Sequence, residues 1–320
     1  MRSSDTIAIT GATGFIGTRL VRDLIARECD PLVLTRAFNA ESFSADLNGR
    51  FRWSHVDLKD QDSLSKVLLA ERPSILIHLA GTRGRGKEVN PSLACAESNT
   101  CDTVRLLDVA CKVGVRRVII MGSAAEYGSQ PGPLHEGLAL QPVSPYGISK
   151  AAMTGFAKAM YSANGCPIVI LRPFTVYGPG QPGDMFVAEA VEHAVANQPF
   201  EMSSGDHKQD LIFVGDVVQA LIAAAYAPRI EGLVINIGSG NAHRLKDIAR
   251  LIWRLSESNA PLLIGTRAAP SEHIHDTSAD ISVARDLLGW EPRTDLETGL
   301  RSMIAWSRQH HIESEEARLL

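Results

Sequence analysis

Three glycines at intervals of three residues follow the first apolar run of the chain. The segment reads GATGFIG (residues 11–17), and Ile16, Leu20 and Leu24 continue from it at helical spacing. Glycines in a strand-to-helix turn let the backbone approach a pyrophosphate closely, and the helix N-terminus directs unpaired N–H groups at the phosphates. We therefore expect a dinucleotide site here. The alternative is an ordinary strand-to-helix turn, since the spacing GxxGxxG differs from the commoner GxGxxG.

Short β-rich runs alternate with longer amphipathic runs over the first 172 residues. This alternation is typical of a parallel sheet whose strands are joined by crossover helices. Several runs are continuously apolar, as expected for strands that are covered on both faces. The predicted strands are Thr6–Thr10, Pro31–Thr35, Phe51–Val56, Ser74–Leu79, Arg116–Met121 and Pro167–Arg172. The pattern predicts an α/β fold with a doubly wound parallel Rossmann sheet.

Glycines and prolines cluster over residues 173–183 and indicate the start of a second region. A strand at Leu211–Val214, a helix from Asp216 and a strand at Leu233–Ile237 are expected to return to the main sheet. We therefore predict two interleaved domains. Residues 1–172 with 211–237 would form the cofactor-binding Rossmann domain, and residues 173–210 with 238–320 a smaller α/β substrate-binding domain.

The charge balance excludes several classes of partner. The 320 residues include 32 Lys and Arg against 36 Asp and Glu, a formal net charge of −4, so no basic excess serves nucleic acid or a membrane surface. No apolar run reaches the roughly 18–20 residues that cross a bilayer, and a strand pattern begins directly after residue 5. We expect a cytoplasmic protein without a targeting segment. The five cysteines lack CxxC spacing, so we expect reduced thiols and no metal site.

Further motifs, taken in order, are similar to those of one enzyme family. Besides TGATGFIG, the chain has HLAG at residues 78–81, Ser123, YGISK at residues 146–150, LRPFTVYGPG at residues 171–180 and LGW at residues 288–290. Together they resemble the extended short-chain dehydrogenases/reductases, in the branch of NAD-dependent epimerases and dehydratases that modify nucleotide sugars. The resemblance covers essentially the whole chain. It implies a nucleotide sugar as the substrate and a homodimer formed through helices near residues 91–113 and 145–163.

The resemblance also implies which residues hold a nicotinamide dinucleotide. An Asp or Glu about 20 residues beyond the glycines would bind the adenosine ribose, but this chain has Thr35 and Arg36 there. A hydroxyl and a guanidinium suit a 2′-phosphate, so we expect NADP(H), with NAD(H) as the alternative. The expected cofactor-binding residues are Gly11, Thr13, Gly14, Phe15, Ile16, Gly17, Arg36, Asp57, Leu58, Leu79, Ala80, Gly81, Tyr146, Lys150 and Pro173.

Tyr146 and Lys150 are four residues apart, so a helix presents both side chains from one face. A phenol has an ordinary pKa of about 10, and a neighbouring ammonium group lowers that pKa toward the range useful in acid-base catalysis. Ser123 follows a predicted strand at its C-terminal end, where its hydroxyl can bond the same substrate oxygen. We predict Ser123, Tyr146 and Lys150 as catalytic, against the alternative of an exposed helix pair and a strand-end serine. By resemblance, Asn99 supports the active-site helix.

The expected substrate-binding residues are Thr82, Arg83, Ser123, Ala124, Glu126, Thr175, Lys208 and Arg267. The chain departs from the family where a diphosphate is usually held. Thr175 stands in place of the usual Asn, and Gln209 and Ala269 stand in place of Arg. Either Lys208, Arg244 and Arg267 supply the missing charge, or the substrate is not a standard diphosphosugar.

The leading functional prediction is an NADP(H)-dependent oxidoreductase. It would reduce a keto group of a nucleotide-linked 4-keto-6-deoxy sugar, with Tyr146 as the proton donor. One alternative is an epimerase or dehydratase that retains NAD(P), although Ala124 and Ala125 replace the acid pair usual in dehydratases. Another alternative is a non-catalytic dinucleotide-binding module, which would have no need of the proton-transfer residues.

Overall fold

The computed structural model describes residues 5–37, 43, 47, 49–84, 90–268 and 277–319. The departure noted at Ala269 lies outside the described residues. Twelve strands occur in the described part of the chain. They are β1 (Ile7–Thr10), β2 (Pro31–Thr35), β3 (Arg52–His55), β4 (Ile75–His78), β5 (Arg117–Met121), β6 (Ile168–Pro173), β7 (Thr175–Tyr177), β8 (Phe200–Met202), β9 (Lys208–Phe213), β10 (Val234–Ile237), β11 (Ala242–Arg244) and β12 (Leu262–Ile264).

The same described residues contain ten α-helices. They are α1 (Phe15–Ala26), α2 (Gln61–Glu71), α3 (Pro91–Cys95), α4 (Asp102–Val113), α5 (Pro145–Asn164), α6 (Phe186–Val195), α7 (Val214–Tyr226), α8 (Leu245–Ser256), α9 (Ser282–Leu288) and α10 (Leu296–Leu319). A π-helical turn over Ala96–Cys101 joins α3 to α4, and a 3₁₀ turn over Ala124–Glu126 follows β5.

The main sheet has the strand order β3-β2-β1-β4-β5-β6-β10, and every neighbouring pair is parallel. The strand order reverses between β1 and β4, so a crevice opens there at the carboxyl ends of the strands, where open α/β sheets bind ligands. The predicted doubly wound Rossmann sheet is confirmed, and the first six strands lie within one or two residues of their predicted bounds.

Helices cover both faces of this sheet and explain its apolar strands. Ile7 and Ile9 of β1 pack into a core cluster with residues of α1 and α7. Ala8, between them, points into a second cluster with Leu106 of α4 and Met153 of α5. Because successive side chains of a strand alternate between faces, a strand covered on both faces is apolar at every position.

Strand β9 lies in a different sheet from the one expected for Leu211–Val214. It pairs with β7 and β11 in a small three-stranded sheet, while β10 does join the main sheet as expected. Leu211 and Phe213 pack into a third core cluster with α6, α8 and α10. An apolar strand can be buried in either sheet, so the sequence alone could not predict which of the two sheets contains this strand. The proposed division into two domains remains a prediction.

Asp210 of β9 joins three distant segments of the chain. It is 1% exposed. Its Oδ1 accepts the Ser239 N–H and hydroxyl at 2.7 and 2.6 Å, and its Oδ2 accepts the N–H groups of Gly240 and Ala279 at 2.8 and 2.9 Å. The carboxylate therefore satisfies the buried N–H of Ala279 and the part-buried N–H groups of Ser239 and Gly240.

One pair of cysteines lies closer together than the sequence predicted. Cys111 near the end of α4 and Cys166 just before β6 have Cα atoms 5.6 Å apart, a distance that a disulfide can span. The two residues are separated by 55 positions in sequence, so spacing rules gave no sign of their proximity.

Among the described residues, no helix combines the length and the apolar character that a membrane span requires.

Candidate active site

The glycine turn between β1 and α1 approaches the neighbouring strand closely. Gly11 has φ +68°, and a Cβ atom there would lie 2.5 Å from the backbone nitrogen of Ala80. A Cβ on Gly17 would overlap the Gly11 carbonyl oxygen. Gly14 is the N-cap of α1, and no side chain in the described residues caps this helix. The turn thus presents uncapped N–H groups at a helix N-terminus, which fits a pyrophosphate.

Two adjoining cavities extend along the carboxyl edge of the sheet from this turn. A cavity of about 610 Å³ passes Arg36, Asp57 and Leu58, and one of about 530 Å³ passes Ser123 and Tyr146. Their linings share Gly11, Gly14, Leu79, Gly81 and Thr82. Each of the fifteen residues expected to bind the cofactor lines one of the two cavities. The fold therefore brings the predicted cofactor residues together, while their role remains a prediction.

The three expected catalytic residues meet in the second cavity. Ser123 directly follows β5, and Tyr146 and Lys150 lie in the first two turns of α5. Ser144 caps this helix, because its Oγ accepts the Gly147 N–H at 3.1 Å. The Ser123 Oγ accepts the Ala125 N–H at 3.2 Å and lies close enough to the Tyr146 hydroxyl to lower its pKa. The Lys150 Nζ donates to the Met121 carbonyl at 2.7 Å and lies 6.0 Å from the centroid of the Tyr146 ring.

The expected lowering of the Tyr146 pKa is not found. Burial raises the pKa of Tyr146 above its ordinary value, and the Ser123 hydroxyl and the Arg83 charge only partly oppose this. Burial also lowers the pKa of Lys150 to about 8, although the Glu126 carboxylate opposes that change. The physical reason is that the surrounding protein penalises both charged forms. The Lys150 ammonium is also held by the Met121 carbonyl rather than by the phenol.

Asn99 connects the cavity wall to the helix of Tyr146. It lies in the π-helical turn and is fully buried. Its Nδ2 donates to the Thr82 carbonyl at 2.8 Å and to the Ser149 Oγ at 2.9 Å, and its Oδ1 accepts the Thr82 N–H at 2.8 Å. These contacts agree with the supporting role that the resemblance implied.

The expected substrate-binding residues divide into two groups. Thr82, Arg83, Ser123, Ala124 and Thr175 line the second cavity. Arg83 is held there by an ion pair in which its Nη2 lies 2.8 Å from Asp184 Oδ1.

Three residues expected at the substrate do not line either cavity. Glu126 has no exposed surface, because its carboxylate is turned into the protein toward Arg172. Arg267 pairs with Glu189 at 3.1 Å. Lys208 is the neighbour of Gln209 on β9, and Gln209 does line the second cavity. Adjacent strand residues point to opposite faces, so Lys208 points away when Gln209 points in.

Gln209 and Thr277 are among the lining residues that the sequence did not predict as contacts. Gln209 was noted only as a departure from the family, although the alternation of β9 could have placed it. Thr277 pairs with Gln209 through an isolated β-bridge, and no sequence signal predicted that contact.

Among the described residues, no three His, Cys, Asp or Glu side chains are arranged to hold a metal ion.

Comparison with known proteins identifies the family. Residues 7–238 match the model of the NAD dependent epimerase/dehydratase family. The chain belongs to this family. It is therefore an enzyme of the short-chain dehydrogenase/reductase type, as the motifs predicted.

Similar proteins extend over nearly the whole chain. A Bacillus subtilis protein named "Uncharacterized UDP-glucose epimerase YtcB" is 29% identical over 311 residues, which cover 94% of this chain and 97% of that protein. A UDP-glucuronate 4-epimerase of Thermodesulfobacterium geofontis is 27% identical over 317 residues, covering 94% and 96% of the two chains. The structure is also similar to the Bacillus cereus UDP-glucuronic acid 4-epimerase solved with UDP-glucuronic acid and NAD. That similarity has a TM-score of 0.85 and 28% identity, covering 95% of this chain and 99% of that chain.

Proposed function

We propose that the protein is an NAD-dependent nucleotide-sugar epimerase that inverts a ring carbon, C4 in the first instance. The observation that carries the proposal is the position of Ser123, Tyr146 and Lys150 in a cavity continuous with the dinucleotide groove. The three similar proteins, each named an epimerase, support it. The predicted keto-sugar reductase has no comparable support. The absence of acids at Ala124 and Ala125 disfavours a dehydratase.

The charges of the first cavity support NAD rather than the expected NADP. Its lining includes three carboxylates, Asp57, Glu97 and Asp102, against two cations, Arg36 and Lys59. An excess of acid disfavours a 2′-phosphate, since that group adds negative charge at the same place. NAD is also the cofactor present in the similar Bacillus cereus structure. The glycine turn and the uncapped N-terminus of α1 would hold its pyrophosphate.

The residues of the site would have separate roles in the reaction. When bound, NAD supplies a hydride acceptor that returns the hydride to the opposite face of the same sugar carbon. Tyr146 takes the proton of the sugar hydroxyl and later gives it back. Ser123 donates a hydrogen bond to the same oxygen. Lys150, charged at neutral pH with a pKa of about 8, stabilises the phenolate that Tyr146 becomes.

We also propose a homodimer in which α5 packs against the same helix of a second copy. Large apolar side chains are exposed on and beside this helix, including Ile148 at 54%, Phe156 at 52% and Leu93 of α3 at 56%. Exposed large apolar side chains on neighbouring helices are typical of an interface. Sedimentation at several concentrations tests this proposal, with Phe156→Glu expected to give a monomer. A cytoplasmic location stays a prediction of the sequence.

The deciding experiment measures bound cofactor and turnover on the purified protein. We expect released NAD, and interconversion of UDP-glucose or UDP-glucuronate with the C4 epimer when no nicotinamide is added. Tyr146→Phe should abolish interconversion while NAD remains bound. Tyr161→Phe, at an exposed position of the same helix, is the matched control and should retain activity. NADPH consumption with a 4-keto sugar, without epimerisation, would instead support the reductase.

A further inference from the structure

Glu126 lies directly beneath the serine of the candidate active site. It is fully buried, and its carboxylate makes three hydrogen bonds. Its Oε1 accepts the Ser123 N–H at 2.8 Å. Its Oε2 accepts the Thr154 hydroxyl at 2.9 Å and the Arg172 Nη2 at 2.7 Å. One oxygen therefore bonds the serine backbone, and the other is anchored in α5 and β6.

Stability alone does not account for this buried ion pair. Arg172 is 2% exposed, and its Nε and Nη1 have no hydrogen-bond partner among the residues that the structure describes. Removing two charges from water is costly, and well-packed apolar residues often replace a buried ion pair without loss of stability. An apolar pair could not supply the oxygen atom that accepts the Ser123 N–H.

The carboxylate connects the two elements that carry the catalytic hydroxyls. Thr154 lies one turn beyond Lys150 on α5, the helix that also carries Tyr146. Ser123 belongs to the turn after β5. The same turn contacts α5 at a second point, because a Cβ on Gly147 would lie 2.5 Å from the Ala125 carbonyl oxygen. Two fixed contacts thus set the position of the turn relative to the helix.

We propose that Glu126 is a positioning residue that holds the Ser123 hydroxyl against Tyr146. The backbone N–H of Ser123 is fixed by the carboxylate, and the Ser123 hydroxyl follows from that backbone position. The proposal rests on the proposed function, because it assigns Glu126 an effect on turnover. A shift of about 1 Å in a reacting group can reduce a rate about 100-fold.

The test replaces the ion pair as a whole, so that no buried charge is left alone. Glu126→Val combined with Arg172→Met should fold and bind NAD as the wild type does, with a thermal midpoint lowered because the Ser123 N–H and the Thr154 hydroxyl lose their acceptor. Its kcat for epimerisation should fall about 100-fold, with KM for the nucleotide sugar little changed. Tyr127→Phe is the control for a disturbed core, because it keeps the ring over Arg172 and removes the hydrogen bond that the buried Tyr127 hydroxyl donates to Asn236 Oδ1 at 2.9 Å. It should lower the midpoint and retain the wild-type kcat.

A double-mutant cycle with Ser123→Ala separates positioning from a general structural effect. If Glu126 acts through the serine hydroxyl, Ser123→Ala costs much less in the Glu126→Val/Arg172→Met background than alone, because the hydroxyl is already misplaced there. The proposal would be overturned if the losses in kcat caused by Ser123→Ala and by Glu126→Val/Arg172→Met simply multiplied in the combined variant. It would also be overturned if Glu126→Val/Arg172→Met kept the wild-type kcat. A wild type without epimerase activity would contradict the proposed function instead, so the two failures are distinguishable.

Discussion

Replacing Lys150, the lysine proposed to be catalytic, should make the protein more stable while it removes activity. Lys150 is 6% exposed, and burial lowers its pKa from 10.5 to about 8. This difference of about 2.5 pKa units, at 1.36 kcal/mol per unit, corresponds to about 3 kcal/mol of cost for keeping the ammonium buried at pH 7. Lys150→Met removes that cost and also the hydrogen bond to the Met121 carbonyl, worth about 1 kcal/mol. We expect a net stabilisation of about 2 kcal/mol.

The gain should depend on pH in a defined direction. The unfolded chain keeps the Lys150 proton up to about pH 10.5, whereas the folded chain loses it near pH 8. Wild-type stability therefore rises with pH across this interval through Lys150, because the unfolded state binds more protons. At pH 9.5 the remaining cost is about 1 kcal/mol, so the advantage of Lys150→Met should fall almost to zero.

Urea unfolding at pH 7 and pH 9.5, followed by circular dichroism, measures both effects. Lys158→Met is the matched control, since Lys158 is an exposed lysine of the same helix. The control should show no pH-dependent difference from the wild type. Two results would refute the reasoning. One is a Lys150→Met variant no more stable than the wild type at pH 7, and the other is a stability difference that does not change with pH.

Three further predictions concern the fold and the cofactor. Gly11→Ala should cost about 3 kcal/mol in urea unfolding and prevent NAD binding, because the residue has φ +68° and faces the Ala80 backbone. Gly114→Ala, with φ +80° and nothing within 4 Å, should cost only about 1 kcal/mol; equal costs would contradict the steric argument. Asp210→Ala should cost about 3 kcal/mol in the same assay, because the buried N–H of Ala279 and two part-buried N–H groups lose their acceptor, and a loss no larger than for the exposed Asp206→Ala would be inconsistent with that account. Calorimetry should show tighter binding of NAD than of NADP, and Arg36→Ala should leave the NAD affinity within about twofold; tighter binding of NADP by the wild type would reverse the cofactor assignment.

The sequence predicted the main sheet well because its strands carry a strong local signal. Strands such as β4 and β5 are apolar at nearly every position, since helices cover both of their faces. The run at Leu211–Phe213 is equally apolar, but its pairing partner is decided by packing with α6, α8 and α10. Local composition contains no information about that choice. The same limit applies to the Cys111–Cys166 pair, which only the folded chain brings together.

The candidate site shows the same contrast. Spacing alone predicted that Tyr146 and Lys150 share a helix face, and the glycine turn was recognised from its place after a strand. The role of Glu126 was misjudged, because an acid next to the serine suits a cavity wall as well as a buried network. One signal was present, since Arg172 stands at the end of an apolar strand and a buried guanidinium requires a partner. The pKa shifts of Tyr146 and Lys150 depend on how deeply each group is buried and on which groups it faces, so residue spacing could not predict them.

The two faces of β9 differ in how freely their residues can change. Asp210 is fixed by four hydrogen bonds to distant parts of the chain. Gln209, one position earlier, points into the cavity and lies outside the third core cluster. A substitution at Gln209 can therefore alter the charge presented to a substrate without disturbing the packing of Leu211 and Phe213. Contact with the cavity and packing of the core thus fall to different residues of this strand.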